Sequence, residues 1–312
     1  MTSKYPVSSP AISGTLPSDG RSGEPASKRS ALVLVCMAAL SSIVMARQMP
    51  DDAYIYLRIA QNIAHRGEWA FNPGVPVNAA TSPLYAVFLS VLVTLHLPGL
   101  TTPLLLSSIL GLSALALATY RGMLSYGPGA AMLAAFAASS FPALLRSEGM
   151  ETSMYLACIA MTALAVEAGN EYAIGVLAGL TALGRPEGAI IVPLALGTHW
   201  WRSGRLPWRG LILSLIPLGL WISFCLHTFH TIVPHTMKIK AMQSALPSWG
   251  RPWFVDFLLQ LRALLLLAPL GLIGVFLVGR DFRRNLFAGI VIAFAIVPVS
   301  STHLTLPTNR EV

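Results

Sequence analysis

The sequence predicts an all-α fold, a polytopic transmembrane helical bundle of about nine spans with interfacial helices in its first outer loop. Three observations lead there. Hydrophobic residues fill 54% of the 312 positions and charged residues only 11%, against about 25% charged in soluble chains. Mean hydropathy is +0.65. The apolar residues come in long blocks parted by short loops containing Arg or Pro, the layout of a helical membrane protein. A bilayer gives backbone polar groups no water, so each block is expected to be helical. The strict alternation of an outer-membrane barrel is absent.

The formal net charge is +8, but the basic residues sit at segment ends rather than in one patch. That pattern fits topology signals, not a nucleic-acid partner. Cys36, Cys158 and Cys225 lie inside apolar segments and read as small core residues, not as a disulfide frame or metal site.

Residues 1–30 are rich in Ser, Pro and Gly and carry Lys4, Arg21, Lys28 and Arg29. They read as a disordered cytoplasmic tail that ends in a basic stop, ahead of a membrane domain over 31–312. The first apolar run, 31–46, ends in Val44-Met45-Ala46, which also suits a signal-peptide cleavage site. The many later spans favour an uncleaved signal anchor.

Topology hangs on the segment 84–97. If it crossed fully, Arg121 and the cluster Arg202, Arg205, Arg209 would lie outside. If it lies along the interface, Arg121, the 201–209 loop and Arg280, Arg283, Arg284 join the N-terminal tail in the cytoplasm. The second choice obeys the positive-inside rule at each short loop, and the segment is short for a span of roughly 20 residues. The expected spans are then 31–47, 102–120, 129–145, 153–168, 171–184, 188–201, 210–227, 262–279 and 285–300. The chain is placed in the plasma membrane, with its N-terminus in the cytoplasm. Eight of the 13 acids fall on the outer face: Asp51, Asp52, Glu68, Glu148, Glu151, Glu187, Asp256 and Glu311.

Four outer stretches hold the candidate chemistry. In Pro50-Asp51-Asp52-Ala53-Tyr54-Ile55-Tyr56-Leu57-Arg58 two carboxylates stand where the first apolar segment ends. Read as an interfacial helix over 51–66, this stretch carries a polar stripe of Asp51, Tyr54, Arg58, Gln61, Asn62 and His65. Ile55, Ile59 and Ile63 lie beside it. A single Asp after Pro50 is explained as a helix cap, but two acids at a membrane boundary call for a function. The wheel leans to Asp51 as the base and Asp52 as its support.

Phe71-Asn72-Pro73-Gly74 is a turn by composition, and Thr81-Ser82-Pro83 suits the start of the next helix. Glu148 and Glu151, three apart, share a helical face. They could bind a metal, hold a sugar hydroxyl, or pair with Arg146 as an interface anchor. Arg185 and Glu187 flank Pro186; pairing with each other is the default, and an Arg could equally hold a lipid phosphate. His227, His230 and His235 with Lys238 and Lys240 make a basic outer loop. It reads either as phosphate capture or as an interfacial belt with Trp249 and Trp253. The His spacing is too loose for zinc.

Taken together, Asp51-Asp52-Ala53-Tyr54-Ile55 with Arg58, Phe71-Asn72-Pro73-Gly74, Thr81-Ser82-Pro83-Leu84-Tyr85, Gly149-Met150-Glu151-Thr152 and Arg185-Pro186-Glu187-Gly188 resemble the GT-C superfamily of membrane glycosyltransferases. The nearest branch includes the bacterial terminal arabinofuranosyltransferases. The resemblance covers about 50–190, with Pro234-His235-Thr236-Met237-Lys238-Ile239-Lys240 a looser match. It implies a polyprenyl-phosphate sugar donor, a glycan, lipid or protein acceptor on the outer side, and Asp51 and Asp52 as the catalytic pair. Arg58, Glu151, Arg185, Glu187, His235, Lys238 and Lys240 would bind donor phosphate or substrate. A carboxylate near Asp51 can take the acceptor proton, and a cation can steady the departing phosphate.

A divalent cation held by Asp51 and Glu151 is compatible with this, although some relatives are thought to work without one. Two departures stand out. The family often carries an acid shortly before its Thr-Ser-Pro equivalent, where this chain has Asn78-Ala79-Ala80. Members also run on through further spans, which implies a C-terminally truncated version here. Competing expectations are a transporter or flippase of lipid-linked sugars, whose ionisable groups should sit near the bilayer midplane, and a degenerate, non-catalytic membrane scaffold.

Overall fold

In the computed structural model, residues 23–235 are described, and among them the chain is helical with no strand; one isolated bridge joins Ala70 and Pro76. The helices are α1 (Gly23–Met45), α2 (Asp51–Arg66), α3 (Pro83–Thr94), α4 (Thr102–Met123), α5 (Pro128–Ser139), α6 (Pro142–Leu145), α7 (Thr152–Ala168), α8 (Glu171–Gly184), α9 (Ile191–Ser203) and α10 (Trp208–Phe229). The expected spans 262–279 and 285–300, together with Lys238 and Lys240, lie outside the described residues.

Three helical segments are long and apolar enough to cross a membrane: Lys28–Met45, Thr102–Tyr126 and Trp208–Phe229. They make this a membrane protein. The remaining apolar helices are shorter. α3 and α5 have 12 residues each and rise only about 18 Å, against a hydrocarbon core of about 30 Å. α3 covers most of the segment 84–97 on which the topology hangs. The expected span 129–145 is interrupted between α5 and α6. Pro142 lacks the N–H that a continuous helix would use, so α5 stops at Ser139 and the short α6 starts afresh. The N-terminal boundary also moves, because residues 23–30, expected in the tail, form the first turns of α1.

The elements pack as a series of neighbours. α1 and α5 lie against α4, α4 against α7, α7 against α8, and α8 against α9 and α10. Small residues let these helices approach. A Cβ at Gly111 would lie 2.9 Å from the Met154 backbone nitrogen, and one at Gly175 would meet the Gly210 carbonyl oxygen and lie 2.7 Å from its Cα. Because the obstacle at Gly175 is backbone, it cannot swing aside. Gly175→Ala is therefore expected to destabilise the chain by about 1–3 kcal/mol, read as a lower melting temperature in detergent. Gly197→Ala, where no atom lies within 4 Å, is the control and should melt like the parent.

α2 and α3 pack on each other, α3 docks on α4 and α8, and α2 also touches α4. Local signals explain their ends. Pro50 precedes α2, and Gly67 closes it at φ +67, a left-handed conformation that glycine adopts without strain. Ser82 caps α3, accepting from the Tyr85 N–H at 3.2 Å, with Pro83 in the first turn. Between them the loop folds back. The Asn72-Pro73-Gly74 turn closes with Val75 N–H donating to the Asn72 carbonyl at 3.1 Å, and Gly74 takes φ +76.

A reporter fused after Arg121, between α4 and α5, is expected to stay cytoplasmic; export of that fusion would overturn the orientation read from the sequence.

Candidate active site

The site is built on a buried turn. Gly149 sits between α6 and α7 at φ +79, where a Cβ would come within 3.1 Å of the Ala53 Cβ on α2. Its N–H donates to Ser108 Oγ of α4 at 2.8 Å, and its carbonyl accepts from the Tyr85 hydroxyl of α3 at 2.7 Å. Tyr85 is also 2.8 Å from Ser107 Oγ. The Thr-Ser-Pro-Leu-Tyr and Gly-Met-Glu-Thr stretches, 64 residues apart, are thus tied directly through Tyr85 and Gly149.

This turn delivers Glu151, 2% exposed, to the start of α7. There it meets Arg185, 6% exposed, at the end of α8. Arg185 donates from Nη1 to Glu151 Oε1 at 2.9 Å and from Nε to Glu187 Oε1 at 2.7 Å. The expected Arg185–Glu187 pairing is therefore present. The alternative pairing of Glu151 with Arg146 is not. Arg146 is exposed, and Glu151 is committed to Arg185 instead.

Burial raises the Glu151 pKa above the usual carboxylate range, and the neighbouring Arg185 charge opposes that rise. Glu151 Oε2, Thr152 Oγ1 and the Tyr155 hydroxyl are buried with no hydrogen-bond partner among the described residues. Three such atoms beside one ion pair make a polar centre with free valence. Tyr155 packs against Gly184 and Gly188, where a Cβ would lie 3.2 Å and 3.0 Å from its ring. Those glycines in Arg185-Pro186-Glu187-Gly188 and just before it are thus fixed by close approach to an aromatic face.

α2 supplies the second part. Tyr56 is buried, with its hydroxyl 2.9 Å from Thr81 Oγ1, 3.1 Å from the Ser82 N–H that donates to it, and close to Glu151. Asp52 lies one helical turn before Tyr56 on the same side and is partly buried. Asp51, Tyr54, Arg58 and His65 are exposed. The structure therefore separates the two acids, with Asp52 on the side of Tyr56 and Glu151 and Asp51 with Arg58 on the open edge. Neither acid caps the helix: Pro50 is the cap residue and no side chain makes a cap hydrogen bond, leaving both acids in the first turn.

Asn62, expected on the polar stripe, is 3% exposed and turned inward. Its Nδ2 donates to the Ala70 and Phe71 carbonyls at 2.8 and 3.0 Å, pinning the following loop. Glu148 parts from Glu151. It is 3% exposed beside the Ser42 and Ser108 hydroxyls, and burial raises its pKa as well.

His235 comes to the α2–α3 loop, where its N–H donates to the Asn78 carbonyl at 2.9 Å. Among the described residues no three His, Cys, Asp or Glu side chains gather as metal ligands. Sequence reading passed over Tyr56, Tyr155 and Ser108. The available signal was a hydroxyl on an otherwise apolar helical face, which in a membrane-embedded segment demands a partner. No protein-family model matches this chain, and no curated protein or solved structure matches it either.

Proposed function

We propose that this protein is a membrane glycosyltransferase that moves a sugar from a polyprenyl-phosphate donor to an acceptor hydroxyl on the outer face of the membrane. The observation that carries this reading is the approach of Tyr56 on α2 to the buried Glu151–Arg185–Glu187 trio, in which Glu151 Oε2 has no partner among the described residues, with Asp52 one helical turn before Tyr56. The trio sits at helix ends, at the start of α7 and the end of α8. A transporter would hold such groups at mid-helix breaks near the bilayer centre.

In this reading Asp52 takes the proton from the acceptor hydroxyl as its oxygen attacks the sugar's anomeric carbon. The bond from that carbon to the phosphate oxygen breaks, and polyprenyl phosphate leaves with the electron pair. Configuration at the anomeric carbon inverts. Glu151, fixed by Arg185, accepts a hydroxyl of the bound sugar through its free oxygen, and Tyr56 keeps α2 registered against it. Arg58 on the open edge, Lys238 and Lys240 are the cations assigned to the departing phosphate. Arg185 is less suited to that task than the sequence implied, because both of its acid partners already occupy it. Asp51 is exposed on the open edge while Glu151 is buried and held by Arg185, so these two residues do not fit a shared divalent cation and no step is routed through one.

The test is to incubate membranes carrying the protein with a panel of radiolabelled polyprenyl-phosphate pentoses and hexoses. Transfer from at least one donor into lipid, glycan or protein is expected. Absence of transfer from every donor, with the protein shown to be folded, would remove the reading.

A further inference from the structure

A second group of unpaired polar atoms lies away from the acidic trio, where the α2–α3 loop meets α10. Trp69 stacks near Trp221 and Phe224, with ring centroids 4.8 and 5.8 Å apart, and Trp221 lies over Phe224 at 5.6 Å with 26° between planes. Beside them Asn78 is fully buried. Its Nδ2 donates to Cys225 Sγ at 3.7 Å and its backbone carbonyl accepts from the His235 N–H. Among the described residues, Trp69 Nε1, Asn78 Oδ1 and His235 Nδ1 are buried without hydrogen-bond partners.

Leaving one buried polar group unpaired costs about 1–3 kcal/mol. Three in one neighbourhood are not needed for packing, since apolar side chains of similar shape would fill the space without that cost. The donor set is specific. The indole N–H offers only a donor, the Asn78 Oδ1 carbonyl oxygen only an acceptor, and the imidazole nitrogen serves as either. The acid on the loop, Glu68, is already engaged, accepting the Gly74 N–H at 2.9 Å. Neither 67–95 nor 210–235 contains a Lys or Arg, which argues against an anion and for a neutral ligand. Alternating donors and acceptors beside aromatic faces suit a polyhydroxylated ring, whose hydroxyls pair with the polar atoms while its C–H face lies on the rings. Phe224 is 37% exposed and Trp221 partly buried.

We propose that Trp69, Asn78 and His235, walled by Trp221 and Phe224, form a subsite for a neutral sugar ring, the acceptor's terminal residue. This rests on the transferase reading above. The indole N–H donates to one sugar hydroxyl, and Asn78 Oδ1 accepts from another.

The purified full chain in lipid nanodiscs is titrated with neutral methyl pentosides and hexosides, with inorganic phosphate and with a short-chain prenol, and saturation-transfer NMR reads binding. At least one glycoside is expected to bind saturably, with affinity reduced at least tenfold in Trp69→Phe, which keeps the ring but loses the N–H. Asn78→Ala should act likewise, with both variants melting as the parent does. No glycoside binding, binding of phosphate or prenol alone, or glycoside affinity unchanged in both variants would overturn the subsite. If Trp69→Phe transfers sugar with the parent's KM for acceptor, the subsite fails while the transferase stands. If glycoside binds at this group in a chain that transfers nothing, the subsite stands and the transferase fails.

Discussion

Asp52→Asn is expected to lower sugar transfer by about 10²–10⁴-fold, the range for losing a positioned general base, while Asp51→Asn lowers it less than about tenfold. The asymmetry follows from the helix. Asp52 shares the side of α2 that carries Tyr56 to Glu151, whereas Asp51 is exposed with Tyr54 and Arg58. Asn keeps the shape, and each variant retains one acid in the first turn of α2, so folding should survive in both variants. The measurement is the initial rate of transfer in membranes normalised to folded protein. A larger loss in Asp51→Asn would show that the open edge, not the inner side, faces the reacting groups.

The second large effect is on stability. Arg185→Ala leaves Glu151 buried without its cation and is expected to cost about 3–5 kcal/mol near neutral pH, the cost of breaking a buried pair from one side. The double variant Arg185→Ala, Glu151→Gln removes the stranded charge and should recover at least half of that. The sign of the pH dependence is fixed by burial, which already raises the Glu151 pKa above its unfolded value. A group with a raised folded pKa contributes its stability below the unfolded pKa, and that contribution fades as pH rises through the folded pKa. Arg185→Ala, which also loses the opposing guanidinium, should therefore melt closest to the parent at acid pH and diverge as pH rises. The double variant should lack that divergence. Thermal melts in detergent across pH provide the check.

Local structure around α2 was legible because its signals are local. Pro50 and Gly67 bracket the helix, the Asn72-Pro73-Gly74 turn forms where composition puts it, and Ser82-Pro83 starts α3. The site was partly legible. Arg185 and Glu187 pair across Pro186 as neighbours in sequence should, but the Glu151–Arg185 bond joins residues 34 apart and depends on how α7 packs on α8. The wheel ranked Asp51 over Asp52 and put Asn62 outside because it sorts residues by polarity. The structure buries Asn62 because its amide has two carbonyls to bind, and it leaves Asp51 exposed and Asp52 partly buried. The break before Pro142 was visible in the sequence as a proline. Hydropathy alone runs through it, because Phe141 and Leu144 are as apolar as the helix before them.

The central claim is a chemical step, and its most direct measurement follows both products at once. Purified chain in nanodiscs is given the polyprenyl-phosphate sugar selected by the donor panel together with its acceptor, and released polyprenyl phosphate is counted against new glycoside. The account predicts equal amounts of both, with inverted configuration at the anomeric carbon and both products lost together in Asp52→Asn. Donor that crosses the bilayer uncleaved, or turnover that is the same in the parent and in Asp52→Asn, would contradict it.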